Sequence, residues 1–218
     1  MSRYSGRVEP GGAPDVRELA HLIITKASVG PADNNVYVLR CRRTGEELVV
    51  DAAAEPERIL ALCGEGPLVR VVTSHRHRDH WQALAEVVER TGAATVAHPD
   101  DAPAIDVATT EPVTGGDRVV VGSVELEVIH LVGHTPGGIA LLYDDPTGSP
   151  HLWTGDSLFP GGPGRTTNAE EFTALMGDLE EKVFAQLPDE TWVYPGHGAD
   201  TTLGTERPRL SEYRDRGW

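Results

Sequence analysis

At 218 residues, with 34 acidic against 19 basic side chains and a formal net charge of -15, the chain can bury one sizeable α/β core. It repels polyanions at long range, which sets nucleic acid aside as a partner. Cys41 and Cys63 have neither metal-site spacing nor the density of a disulfide scaffold, and no stretch approaches the apolar length that spans a bilayer, so a cytoplasmic protein without a membrane partner is expected.

Residues 1–17 contain Pro10, Gly11, Gly12 and Pro14 without an apolar run, and read as a flexible N-terminal arm rather than a signal or transit peptide. Residues 18–218 read as a single domain with no separate C-terminal substrate domain. Strands are predicted at 19–26, 35–41 and 47–52; Asp51 closes the third, as a turn carboxylate or as a partner of the loop after Thr73. A helix at 58–63 turns Ile59, Leu60 and Leu62 inward after Pro56. A β-branched strand follows at 69–74, then a His-rich loop, then a helix to about Thr91 with Trp81, Leu84, Ala85 and Val88 at helical spacing and Gly92 as its stop. A short strand at 94–97 leads into a polar, irregular stretch at 100–110. Meander-like strands are predicted at 119–121, 124–131, 139–143 and 151–153. A helix at 170–186 carries the core stripe Phe172, Leu175, Met176, Leu179, Val183 and Phe184, a strand follows at 191–194, and the tail from 204 is polar.

The chemistry concentrates in Ser74-His75-Arg76-His77-Arg78-Asp79-His80. In an extended segment residues two apart point the same way, so His75 and His77 suit one ion; once the chain turns into the helix, Asp79 and His80 suit a second. Three further ligand types stand in glycine-bearing turns at strand ends: His134 in Gly-His-Thr-Pro-Gly-Gly, Asp156 in Thr-Gly-Asp-Ser and His197 in Pro-Gly-His-Gly. The count then closes: His75, His77 and His134 for one ion, Asp79, His80 and His197 for the other, and Asp156 between them. Of the remaining histidines, His98 and His130 are expected to support ligands or lie in the core or at the surface, and His21 and His151 to be ordinary strand-edge residues.

These motifs, in this order, resemble the metallo-β-lactamase fold superfamily from about residue 19 to residue 203. Within it, the Gly-His-Thr-Pro-Gly turn, Thr-Gly-Asp-Ser-Leu-Phe and Pro-Gly-His-Gly are most similar to glyoxalase II, the thioesterase of hydroxyacylglutathione. The resemblance implies an α/β fold, a four-layer αββα sandwich of two mixed sheets flanked by helices, with metals at one edge. It implies a dinuclear-metal hydrolase with two divalent ions, zinc, or iron or a mixed zinc and iron pair. Asp79 and Asp156 would hold a metal-bridging hydroxide that attacks a small-molecule thioester or a related activated acyl compound such as a lactone. Full-length glyoxalase II proteins carry a C-terminal helical domain that helps grip glutathione; this chain ends about 20 residues after His197, which leaves the carrier thiol open. The family's basic residue after the bridging aspartate corresponds to Arg165, either a clamp for a substrate carboxylate or half of a loop-stabilising ion pair. Persulfide dioxygenases offer an alternative, one iron on His75, His134 and Asp156, and share the Gly164-Arg165-Thr166 sequence. A non-catalytic, metal-stabilised module is a third reading, disfavoured because structural zinc sites are usually closed by four protein ligands.

Overall fold

The computed structural model describes residues 4–217. The first sheet takes its seven strands in sequence order: β1 (Asp15–Glu18), β2 (Leu22–Val29), β3 (Asn34–Cys41), β4 (Glu47–Val50), β5 (Leu68–Val72), β6 (Ala94–Ala97) and β7 (Glu111–Pro112). The first four pair antiparallel, and the last four pair parallel through crossovers that contain α1 (Pro56–Leu62) and α2 (Leu84–Thr91). The second sheet contains β8 (Arg118–Val121), β9 (Val124–His130), β10 (Ile139–Tyr143), β11 (His151–Gly155), β14 (Trp192–Pro195) and β15 (Thr201–Thr202), in the order β15-β14-β11-β10-β9-β8. A two-strand hairpin of β12 (Leu158–Phe159) and β13 (Gly162–Pro163) stands apart, followed by α3 (Ala169–Asp178). The C-terminal helices α4 (Leu203–Glu206) and α5 (Leu210–Arg216) complete the order.

Period-two alternation sorts the core into layers. Along β3, Tyr37, Leu39 and Cys41 face the second sheet and meet Val119, Leu126, Leu141 and Trp153, while Val36 and Val38 face outward onto Ile59, Leu84 and Val87. On the second sheet, Ile129, Ala140, Leu152 and Val193 point outward onto Leu175, Leu179 and Val183. Both sheets are thus buried on both faces, which gives the expected αββα sandwich of mixed sheets. Among the described residues no helix is long and apolar enough to cross a membrane.

Four local expectations change. The arm is not loose from Tyr4 onward: Tyr4 Oη donates to Asp200, Ser5 and Gly6 amides donate to Asp15, and β1 pairs with β2; residues 1–3 lie outside the described residues. After the His-rich loop the chain makes a 3₁₀ turn (Arg78–His80) before α2, which buries Leu84 and Val87 while Ala85 is exposed. The Trp81 indole donates to Arg76 O at 2.9 Å, spending Trp81 on the loop rather than on the helix. The helix expected at 170–186 is α-helical to Asp178 and π-wound over Leu179–Phe184. His151 is buried rather than at an edge, its Nδ1 2.9 Å from Tyr194 Oη.

Candidate metal centre

Every candidate ligand follows the C-terminal end of a strand: β5 for the His-rich loop, β9 for His134, β11 for Asp156 and β14 for His197. The two sheets therefore bring their ligands to a common edge. Absent side chains make room for it. Gly155 has φ +49°, and a Cβ there would lie 2.6 Å from Ser74 Oγ; a Cβ on Gly196 would lie 2.2 Å from Asp156 Oδ1.

At that edge the side chains fall into the expected groups. His75 Nε2 lies 3.1 Å from His77 Nδ1, which lies 2.9 Å from His134 Nε2. His80 Nε2 lies 3.1 Å from His197 Nε2, and Asp79 Oδ2 lies 3.5 and 3.4 Å from these two nitrogens. Asp156 Oδ2 is 3.6 Å from both His134 Nε2 and His197 Nε2, one from each trio, and its Oδ1 is 3.5 Å from His80 Nε2. Tetrahedral ligands with bonds of about 2.0–2.1 Å stand about 3.3 Å apart, so these separations fit small divalent ions. Asp156 Oδ1 is also buried without a hydrogen-bond donor, as suits an oxygen reserved for a cation.

The imidazoles are prepared for ligation. His134 Nδ1 donates to Arg165 O at 2.7 Å, His197 Nδ1 to Ala32 O at 3.0 Å, and His80 Nδ1 to Asp51 Oδ2 at 2.9 Å. Because these partners only accept, the proton sits on Nδ1 and the lone pair on Nε2 faces the centre. His75 reaches the same state by relay: its Nδ1 donates to Ser74 Oγ at 3.0 Å, and Ser74 Oγ donates to Asp51 Oδ2 at 2.8 Å. Asp51 thus orients one histidine of each trio, the second of its two expected roles.

Charge follows the same plan. Burial, reinforced by neighbouring imidazoles, pushes His75 well below the ordinary histidine range, and burial with His134 lowers His77. Burial also disfavours the charged form of His80, but Asp51 and Asp156 outweigh it and raise that imidazole to about 10. For Asp156, burial is outweighed by His197 and His80, which hold its carboxyl far below the usual range. For Asp79, burial is outweighed by Asn34 and His80. The two carboxylates beside His80 favour positive charge at this point of the cluster. A cation bound there needs the imidazole Nε2 atoms free of protons, so binding would compete with acid.

A family model described as Metallo-beta-lactamase superfamily matches residues 29–197. The chain belongs to that superfamily. It is 35% identical over 179 residues to a hydroxyacylglutathione hydrolase of Polaromonas sp. (strain JS666), covering 81% of this chain and 66% of that protein. The chain thus spans about two thirds of that hydrolase's length. Among solved structures, ETHE1 from Myxococcus xanthus matches with 29% identity and a TM-score of 0.76 over 88% of this chain and 86% of that one. TTHA1623 in a di-iron-bound form matches with 31% identity and a TM-score of 0.68 over 83% of this chain and 95% of that one.

The geometry gathers all seven predicted ligands, and it reveals partners the sequence reading missed. Asp101, fully buried, accepts from Arg76 N at 2.9 Å, Thr135 Oγ1 at 2.6 Å and Gly137 N at 2.9 Å, tying the His-rich loop to the His134 turn. Asn34 Nδ2 donates to Asp79 Oδ2 at 2.9 Å. His130 Nε2 donates to Pro136 O at 2.8 Å and its ring stacks on buried His98, so both support the turn from outside the ligand set. Arg165 stands exposed, and among the described residues its guanidinium forms no hydrogen bond or ion pair, the loop-stabilising pair included.

Proposed function

We propose that the chain is a glyoxalase II-like hydrolase that uses two divalent metal ions to cleave a thioester or a related activated acyl bond. The observation that carries this reading is the pair of trios sharing Asp156, with four of the five imidazoles locked in the ligating tautomer. His75, His77 and His134 would hold one ion, Asp79, His80 and His197 the other, with Asp156 common to both. Bound there, such ions supply an acidified water near neutral pH and a Lewis acid for the acyl oxygen. Zinc and iron both suit this nitrogen and oxygen set, and the di-iron form of TTHA1623 supports iron as a candidate.

The chain's own groups do the rest. Asp79 Oδ2 and Asp156 Oδ2 both face His197; from there the two carboxylates would hold a water between the trios and orient it toward the acyl carbon. A thiolate leaves with little help from an acid, so the absence of a further acid among the seven suits a thioester. Arg165 offers an unpaired guanidinium to a substrate carboxylate, a local cation on a molecule of net charge -15.

The test is metal content of protein never exposed to chelator, together with a screen of thioesters, lactones and a persulfide with oxygen uptake. About two ions per chain and chelator-sensitive acyl hydrolysis are expected. A single iron with persulfide-dependent oxygen uptake would move the function to His75, His134 and Asp156 as a mononuclear set. Asp156→Ala is expected to lose metal and hydrolysis together; an active, fully metallated variant would remove its shared role.

A further inference from the structure

Beneath the turn that carries His197 lies a buried cation. Lys26, in β2, is fully buried, and its ammonium donates to Gly6 O at 2.9 Å, Gly198 O at 2.7 Å and Asp200 Oδ1 at 2.6 Å. All three of its hydrogens are thereby used. The other Asp200 oxygen accepts from Tyr4 Oη at 2.7 Å and Trp192 Nε1 at 2.8 Å.

Neighbouring side chains fasten the same turn. Asn35 Nδ2 donates to Pro195 O at 2.8 Å and Gly198 O at 3.0 Å, Tyr37 Oη donates to Pro195 O at 2.7 Å, and Asn35 N donates to Gly196 O at 2.7 Å. The turn belongs to the second sheet, yet the carbonyls of Pro195, Gly196 and Gly198 are all held from β2 and β3 of the first. A buried ion pair is a poor source of stability, since apolar residues of similar volume usually serve as well. What Lys26 supplies and an apolar residue cannot is three directed bonds that join the arm, the turn and Asp200 at one point.

We propose that Lys26 is a positioning residue for the Asp79, His80 and His197 trio: it locks the His197 turn to the opposite sheet and so sets the affinity for the ion held there. This rests on the two-ion reading above. Of the two trios only this one has a member, His197, on the turn that Lys26 holds through Gly198, so the effect falls on one ion of the two.

The test compares the unaltered chain with Lys26→Met/Asp200→Asn, which removes both charges and leaves neither unpaired. In chelator competition on zinc-loaded protein, one of the two ions is expected to bind about 10–100-fold more weakly while the other is unchanged. Arg70→Met, which removes the ion pair to Glu111 at the β5 and β7 edge, controls for general destabilisation. Parallel loss of both ions, an equal loss in Arg70→Met, or no loss overturns the proposal. In metal-free protein, amide exchange at 194–200 is expected to rise about 10-fold or more while 73–81 is unaffected. If the unaltered chain takes up only one ion, the two-ion reading fails by itself, and the positioning role stands or falls on that exchange result.

Discussion

Asp51 occupies a left-handed backbone conformation, φ 59°, at the end of β4, and from there its carboxylate reaches Ser74 N at 2.7 Å, Ser74 Oγ and His80 Nδ1. Asparagine tolerates the same backbone state, so Asp51→Asn keeps the turn while removing the charged acceptor that orients His75 and His80. Metal affinity is expected to fall about 10–100-fold, read by chelator competition; unchanged affinity would mean that the imidazoles are oriented by packing alone. The candidate ligands were legible as a cluster because each follows a strand and, in three cases, sits beside glycine. Asp101 and Asn34 were not, since their partners Thr135 and Asp79 lie 34 and 45 residues away and nothing local marks them. Arg165 was legible as a residue but not as a guanidinium without a partner among the described residues, because that is a property of the folded surface.

The long strands were readable at the level of elements because alternating burial writes a period of two into the chain, as at Val36 to Cys41. The two-residue strands β7, β12, β13 and β15 are too short to carry any period. An apolar stripe marks which face of a helix is buried, but it does not specify winding, so the change from α to π after Asp178 left no signal. The tail shows another limit. Its charged composition suggests solvent, yet Glu206 is buried and accepts from Gly161 N at 2.9 Å, Thr201 Oγ1 at 2.6 Å and Tyr213 Oη at 2.5 Å. Arg216 adds bonds to Gly161 O. The C-terminal helices thus hold the hairpin that separates Asp156 from Arg165. Glu206→Ala strands three donors and is expected to cost about 3 kcal/mol in urea unfolding, whereas Glu206→Gln, which keeps an acceptor, costs less. Equal costs would show that packing by Tyr213, rather than the carboxylate, fixes the hairpin.

Stability against acid is a property of the whole molecule, and His151 makes one part of it predictable. Burial first, then Arg17, lowers this imidazole to about 4, so protonation favours the unfolded chain. Its contribution is complete above the unfolded value of about 6.5 and is lost as pH falls toward 4, amounting to about 2 kcal/mol between pH 7 and pH 5. In urea unfolding of metal-free protein, His151→Gln is expected to flatten the pH dependence over that window by this amount. An identical slope in both proteins would place the proton elsewhere.

The order of the strands carries one more consequence. The first sheet ends at Pro112 and the second begins at Arg118, so a single point in the chain divides both the sheets and the ligands. The earlier half carries His75, His77, Asp79 and His80; the later half carries His134, Asp156 and His197. Neither half owns a complete trio. On the proposed two-ion reading, the cations would be read by two separately encoded halves at once, and a bound pair would certify that the halves have met in register, which would make metal capture a checkpoint on assembly as well as the start of chemistry.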